Sequence, residues 1–171
     1  MDEPFLKTKR LVLGLWKEED LFLAERLWGD PQVCRYICRN ESFTEEETAQ
    51  RLQTEIRNQK EHGVQYWPLF LHSGEFIGCC GLRPRTEKGF ELGFHLLPEY
   101  WGREYAYEAA KAVIAYAFAG LGAEKLFAGH HPENQRSKRV LEKLGFICIG
   151  SEYYAPTGLQ HPAYELRKED L

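Results

Sequence analysis

From Leu92 to Ala110 the chain reads LGFHLLPEYWGREYAYEAA, and this stretch has residue types and spacing suited to chemistry. Apolar and polar residues alternate up to Pro98, a tight turn containing Gly102 follows, and an amphipathic helix then opens. In that order, the first N–H groups of the helix lie just beyond a strand end, without intrahelical partners and at the positive end of the helix dipole. Such a place binds anions. The turn lacks the Lys-Ser/Thr ending of a nucleotide-hydrolysing P-loop and the three glycines of a dinucleotide fold. A pyrophosphate on a carrier other than ATP or NAD suits it better.

Other residues could act beside it. Glu91, Gly93 and His95 share the polar face of the strand that feeds the turn. Glu91 reads either as a base or amine-binding carboxylate, or as a solvated strand residue paired with Arg83 or Arg85. His95 reads as a structural histidine before it reads as a base. Asn134 and Ser137 open a later helix, where each can cap the helix or meet a ligand. His130, His131 and Glu133 sit in a loop without metal-ligand spacing. Cys34 and Cys38 have no matching second pair, so no metal site is expected. Tyr66, Trp67, Tyr153 and Tyr154 read as packing residues.

These candidates need a scaffold. A first strand is expected at Leu11–Leu15, then a helix through Leu21, Ala24, Leu27 and Trp28 that stops at Gly29-Asp30-Pro31. Thr44 to Glu47 forms a capping box for a second helix ending at Gly63. Tyr66–Leu71 and Phe76–Leu82 read as a hairpin about His72-Ser73-Gly74-Glu75. Phe90, Leu92, Phe94 and Leu96 line one face of the next strand. Ala106 to Phe118 keeps helical spacing for over three turns, Leu126–Ala128 is a short buried strand, and Asn134–Leu144 is a further helix. Ile147–Ile149 and Tyr164–Leu166 pair last. This order predicts a single α/β (α+β) domain with a mixed sheet flanked by helices.

Composition bounds the function. The 171 residues include 22 Lys plus Arg and 26 Asp plus Glu, a net charge of −4, which disfavours nucleic acid as a partner. The acidic Met1-Asp2-Glu3-Pro4 start does not resemble a signal peptide, and no apolar run suggests a membrane span. The five cysteines, an odd count, fit reduced thiols in a cytoplasmic protein.

Taken together, these motifs resemble the GNAT superfamily of N-acetyltransferases, and among them the branch of ribosomal-protein alanine N-acetyltransferases. The resemblance rests on Thr8–Leu13 and Asp30–Val33, on Glu91–Phe94 with Leu97–Ala109, and on Asn134–Phe146, in that order along nearly the whole chain. It implies a GNAT-like, mostly antiparallel central sheet, acetyl-CoA as co-substrate and a primary amine as acceptor, either a protein N-terminus or a small molecule. It implies that Trp101, Gly102, Arg103, Glu104, Tyr105 and Ala106 hold the CoA pyrophosphate. Asn134 would meet the pantetheine, and Ser137 would lie near the thioester sulfur as cofactor contact and proton donor. Glu91 is the leading candidate base, with His95, Glu152 and a water molecule also open, and a homodimer is compatible with the family.

Two departures from the family pattern stand out. Glu104 occupies a position usually held by glycine, where a side chain and a negative charge crowd an expected anion. A carboxylate there is expected to stabilise the empty protein through the helix dipole and to weaken CoA, unless it turns aside to Arg103 or Lys138. Leu141 stands where many members carry a tyrosine acid. Both departures motivate an alternative, a non-catalytic acyl-CoA-binding or sensor module.

Overall fold

A computed structural model describes residues 5–171; the acidic Met1–Pro4 start lies outside the described residues. In chain order the elements are β1 (Leu6–Lys7), β2 (Leu11–Leu13), α1 (Leu21–Trp28), α2 (Pro31–Cys34), α3 (Glu45–His62), β3 (Tyr66–Leu71), β4 (Phe76–Thr86) and β5 (Gly89–Leu96). Then follow α4 (Tyr105–Ala119), β6 (Lys125–Gly129), α5 (Gln135–Lys143), β7 (Ile147–Tyr154) and β8 (Leu159–Arg167). The eight strands form one sheet in the order β1-β2-β3-β4-β5-β6-β8-β7. Every neighbouring pair is antiparallel except β5 and β6, which α4 connects in parallel. Among the described residues no helix is long and apolar enough to cross a membrane.

The parallel pair is short. Gly89, Phe90 and Glu91 pair with Lys125, Leu126 and Phe127, and there the ladder ends. Beyond it β5 runs on to Leu96 and β6 to Gly129, so the sheet opens into a V along its two central strands.

Two apolar layers cover the sheet. On one face α4 buries Ala109, Ala110, Val113 and Ala117 against Leu82, Leu92 and Leu126. On the other, α1, α2 and α3 bury Leu27, Trp28, Val33 and Leu52 against Tyr66, Phe76 and Cys79. The alternation of β5 therefore has a different meaning from the expected one. Helices cover its Glu91–Gly93–His95 face at His95, which Trp28 of α1 meets, while Glu91 and Gly93 stay partly exposed in a cleft.

Element boundaries shift in informative ways. The first strand stops at Leu13 and is preceded by the short β1. Gly29-Asp30-Pro31 ends α1 as expected but also starts α2: Asp30 Oδ1 accepts from the N–H groups of Gln32 (2.8 Å) and Val33 (3.4 Å). Pro31 sits at the first helical position, where its missing N–H costs nothing. The capping box of α3 forms as read, with Glu47 N donating to Thr44 Oγ1 at 3.1 Å and Thr44 N to Glu47 Oε1 at 2.9 Å. β4 runs four residues past the expected Leu82, with a bulge between Pro84 and Thr86 that sets Arg85 out of register. β7 and β8 are also longer than expected. β7 is an edge strand with exposed Ile147, Ile149 and Tyr153 and a register shift between Cys148 and Gly150.

One buried carboxylate ties the helical layer to the sheet. Glu55 on α3 is fully buried. Its Oε2 accepts from Tyr66 N at 2.7 Å and its Oε1 from Arg83 Nη2 at 2.9 Å. Arg83 lies over the Tyr66 ring, 4.2 Å from its centroid. A carboxylate so placed is tolerated because a guanidinium and a strand N–H satisfy it; removing it strands both. Glu55→Ala should lower the unfolding free energy by about 3–5 kcal/mol, the range for breaking one side of a buried pair. Urea denaturation checks this, and a loss below about 1 kcal/mol would mean the pair is dispensable.

Candidate active site

The V in the sheet widens into a cleft of about 750 Å³. One flank is the entrance to α4. Trp101 Nε1 donates to Leu96 O at 2.8 Å, which pins the turn to the end of β5. Gly102 has φ +77°, and nothing lies within 4 Å of where its Cβ would be. The first helical bond runs from Glu108 N to Glu104 O at 3.1 Å. Among the described residues, the N–H groups of Gly102 through Tyr107 have no hydrogen-bond acceptor, and α4 has no side-chain cap. An uncapped helix start with a run of free N–H groups fits a diphosphate.

Glu104 behaves differently from expectation. It has φ +61°, the only non-glycine residue with positive φ among those described, so backbone shape is a reason for glycine at this position. Its carboxylate does not cap α4. It pairs with Lys143 on the last turn of α5, and not with Arg103 or Lys138. Lys143 Nζ also stands 4.2 Å from the centroid of the Tyr107 ring. The hydrogen bond from Lys143 and its charge hold the Glu104 carboxyl below the usual carboxylate range. The expected helix-dipole gain through capping is thus not realised, and the expected repulsion toward an anion is offset by a neighbouring ammonium.

The opposite flank is the start of α5. Asn134 Oδ1 caps it, accepting from Ser137 N at 3.2 Å. The Ser137 hydroxyl is therefore not the cap; it lines the cleft, as do Asn134 and the turn residues Trp101, Gly102, Glu104, Tyr105 and Ala106. Arg103 is exposed beside them and does not line the cleft. Arg136 stacks on Trp101 at 3.7 Å and so joins α5 to the turn. Leu141 is buried and borders the cleft, so that position offers the site an apolar side chain and no acid.

At the apex of the V is Glu91, in the last β5–β6 pair. Arg83, the cross-strand neighbour, is held by Glu55, and the nearer cation is Arg85: its Nη1 lies 3.7 Å from Glu91 Oε2. Arg85 also pairs with Glu152 of β7 and lies over the Phe127 ring at 4.3 Å. Arg85 is one of the two partners expected for Glu91; the bulge in β4 and the link to Glu152 are what no sequence pattern announced. Burial raises the Glu91 pKa above the ordinary carboxylate value, against the opposing pull of Arg85 and Arg83.

His95 is held at Nδ1. Trp28 Nε1 donates to its Nδ1 at 3.1 Å, and Cys79 Sγ lies 3.7 Å from the same nitrogen. Burial depresses its pKa well below the ordinary imidazole value, with Arg51 and Arg83 adding to the effect. The neutral ring, with Nδ1 accepting from an indole, carries its proton on Nε2 and can only donate there. His130 is likewise engaged, its Nδ1 2.7 Å from His131 O and its Nε2 3.0 Å from Tyr164 Oη. Among the described residues no three His, Cys, Asp or Glu side chains converge as metal ligands.

Comparison with known proteins agrees with this geometry. The family described as "Acetyltransferase (GNAT) domain" matches residues 10–147. The uncharacterized protein YkkB of Bacillus subtilis (strain 168) is 32% identical over 145 residues, 82% of this chain and 83% of YkkB. The FsC-acetyl coenzyme A-N(2)-transacetylase of Aspergillus fumigatus is 31% identical over 159 residues, 86% of this chain and 66% of that protein. Among solved structures, the ribosomal L7/L12 alpha-N-protein acetyltransferase RimL superposes with a TM-score of 0.82 at 16% identity, covering 96% of this chain and 94% of RimL, a likeness of fold.

The strained Glu104 gives a test with two readouts. Glu104→Gly should raise the melting temperature by a few degrees, because relief of the left-handed backbone outweighs the freedom glycine adds to the unfolded chain. It should also tighten CoA several-fold at low ionic strength, with a smaller gain as salt rises, since Lys143 is released toward the phosphates. Differential scanning fluorimetry and calorimetric titration check both. A lower melting temperature would mean that the Glu104–Lys143 pair stabilises the fold more than the backbone strains it.

Proposed function

Because the chain belongs to the GNAT acetyltransferase family, we propose that its cleft transfers an acetyl group from acetyl-CoA to a primary amine by direct attack in a ternary complex. One observation carries this reading: the free N–H run at the start of α4 and the carboxylate of Glu91 open into the same cleft, at its flank and its apex. One part suits a diphosphate carrier and the other an amine.

The chemistry follows from where each group stands. An amine is mostly protonated at neutral pH and must lose a proton before it attacks. Glu91, with its pKa raised by burial, is a better acceptor for that proton than an ordinary carboxylate. Arg85 holds Glu91 and Glu152 together, so a negative pair faces the incoming ammonium. The unpaired edge of β5 beyond Glu91 offers backbone N–H groups to the oxygen that gains charge as the carbonyl is attacked. Ser137, whose hydroxyl is free of capping, is the group that can donate to the departing thiolate. No metal is called for: proton transfer and positioning suffice. The pairing of Glu104 with Lys143 removes the charge argument for a binding-only protein.

Glu91→Gln should lower turnover by about 10²-fold, with little change in CoA affinity. The sign of the pH dependence is set by the working form: activity needs the carboxylate, so it falls as pH drops through the Glu91 pKa. That acidic limb should lie above the usual carboxylate range, and Glu91→Gln should erase it. Turnover within about twofold of the unsubstituted enzyme at saturating amine would assign the base elsewhere.

The two α5 residues separate chemistry from stability. Ser137→Ala should slow single-turnover acetyl transfer and leave the melting temperature unchanged, whereas Asn134→Ala should cost about 0.5–2 kcal/mol of stability through the lost cap. If Ser137→Ala melts early and reacts at full rate, its hydroxyl is structural.

A further inference from the structure

Four rings follow one another along the cleft. Tyr36, just after α2, lies 4.9 Å from His131 between ring centroids; His131 lies 5.5 Å from His161 on β8; and His161 lies 4.6 Å from Tyr154 on β7. All four line the cleft, and they come from four separate segments of the chain. This is not core packing: Tyr36, His131 and Tyr154 are each partly exposed.

The imidazoles in this row are held by hydrogen bonds. Glu133 N donates to His131 Nδ1 at 3.0 Å, and His161 Nε2 lies 2.7 Å from Thr157 Oγ1. Burial, with His131 and His130 adding to it, lowers the His161 pKa to about 4, so that ring is neutral at physiological pH. A row of aromatic faces attracts another ring, or a cation, through its π surface.

The charges nearby are arranged for an amine and against an acid. Glu91 and Glu152 share the single cation Arg85, which leaves an excess negative charge at the apex. The remaining cations that line the cleft, Arg136, Arg139 and Lys143, are spaced along α5; Arg136 lies on Trp101 and Lys143 on Glu104, at the α4 side. Of the cations that line the cleft, Arg85, Arg136 and Lys143 are engaged by Glu91 and Glu152, Trp101 and Glu104, and the ring row itself contains no guanidinium or ammonium to receive a carboxylate.

Two of the segments that carry the ring row are tied together. Arg39 N donates to Pro156 O at 2.9 Å, and Arg39 Nη2 to Tyr153 Oη at 3.4 Å. These bonds join the segment after α2 to the end of β7 and the turn that follows it; Tyr36 and Ile37 of the first and Tyr153 and Tyr154 of β7 line the cleft. A cleft whose walls are tied together in this way favours a compact molecule over a tail held on a folded protein.

We propose that the acceptor is a small aromatic amine, a primary amine one or two carbons from an aromatic ring with no carboxylate beside the nitrogen, its ring held by Tyr36, His131, His161 and Tyr154 and its nitrogen held by Glu91 and Glu152. This deepens the acetyl-transfer reading and rests on it.

The test is thiol release from acetyl-CoA by the full chain with four acceptors: 2-phenylethylamine, hexylamine, phenylalanine and a hexapeptide beginning with alanine. CoA binding is followed in parallel by calorimetry. The expected result is a kcat/KM for 2-phenylethylamine about tenfold or more above each of the others, the discrimination a shaped pocket with unpaired charge can give. In Tyr36→Leu and Tyr154→Leu the ratio of 2-phenylethylamine to hexylamine should collapse toward one, with CoA affinity and melting temperature kept as controls. Equal or better use of hexylamine or phenylalanine overturns the proposal, and preference for the hexapeptide replaces it with a protein N-terminus. If no amine reacts while CoA still binds, the acceptor class is wrong and the carrier site stands. If CoA does not bind, the acetyl-transfer reading itself falls.

Discussion

The structure depends on where the ladder between β5 and β6 ends. Three residue pairs join them, and then the strands part. Paired strands normally satisfy each other's backbone; parted strands leave a row of N–H and C=O groups that water or a ligand must satisfy. The parting creates the cleft, puts Glu91 at its apex, and brings the entrances of α4 and α5 to its two sides. A crossover through α4 makes it possible, since a parallel neighbour reached by a helix need not stay in register along its whole length. The antiparallel pairs on either side, β4 with β5 and β6 with β8, carry the continuity of the sheet instead.

The helical layer over β5 turns a strand face into a reactive surface. Trp28 of α1 donates to His95 Nδ1 and so fixes that ring, while Glu91, partly buried, is still reached by Arg85. Glu55 sets the spacing between layer and sheet, because its carboxylate binds a strand N–H and Arg83 at once. That engagement turns the Arg83 guanidinium to Glu55 and leaves Arg85 as the nearer cation to Glu91. Polar groups behind the site thereby decide the charge within it.

Much of this was legible in the residues. Periodicity in Ala106–Phe118, the Thr44–Glu47 box and the strand-turn-helix at Leu92–Ala110 each reflect short-range physics, and each formed where expected. The order of strands and helices gave the mixed sheet. What sequence could not supply was long-range partner choice. The pairing of Glu104 with Lys143 spans 39 positions, and that of Arg85 with Glu152 spans 67. The second depends on a bulge that no turn residue marked. The ring row from Tyr36 to Tyr154 is invisible for the same reason: its members are scattered, and only the folding of β7 and β8 over the cleft assembles them. Alternation on β5 told which residues share a face but not that helices would cover it at His95.

The two outer strands bear on how the molecule behaves at high concentration. A sheet edge offers free backbone groups on which a second chain can polymerise. Here one edge, β1, is two residues long. The other, β7, exposes Ile147, Ile149 and Tyr153, a composition that would favour ribbon growth, but its register breaks between Cys148 and Gly150. Gly150 has φ +134°, and a strand bent there presents no straight template to a copy of itself. The same β7 that brings Glu152 and Tyr154 to the cleft can therefore carry exposed apolar side chains without seeding fibrils.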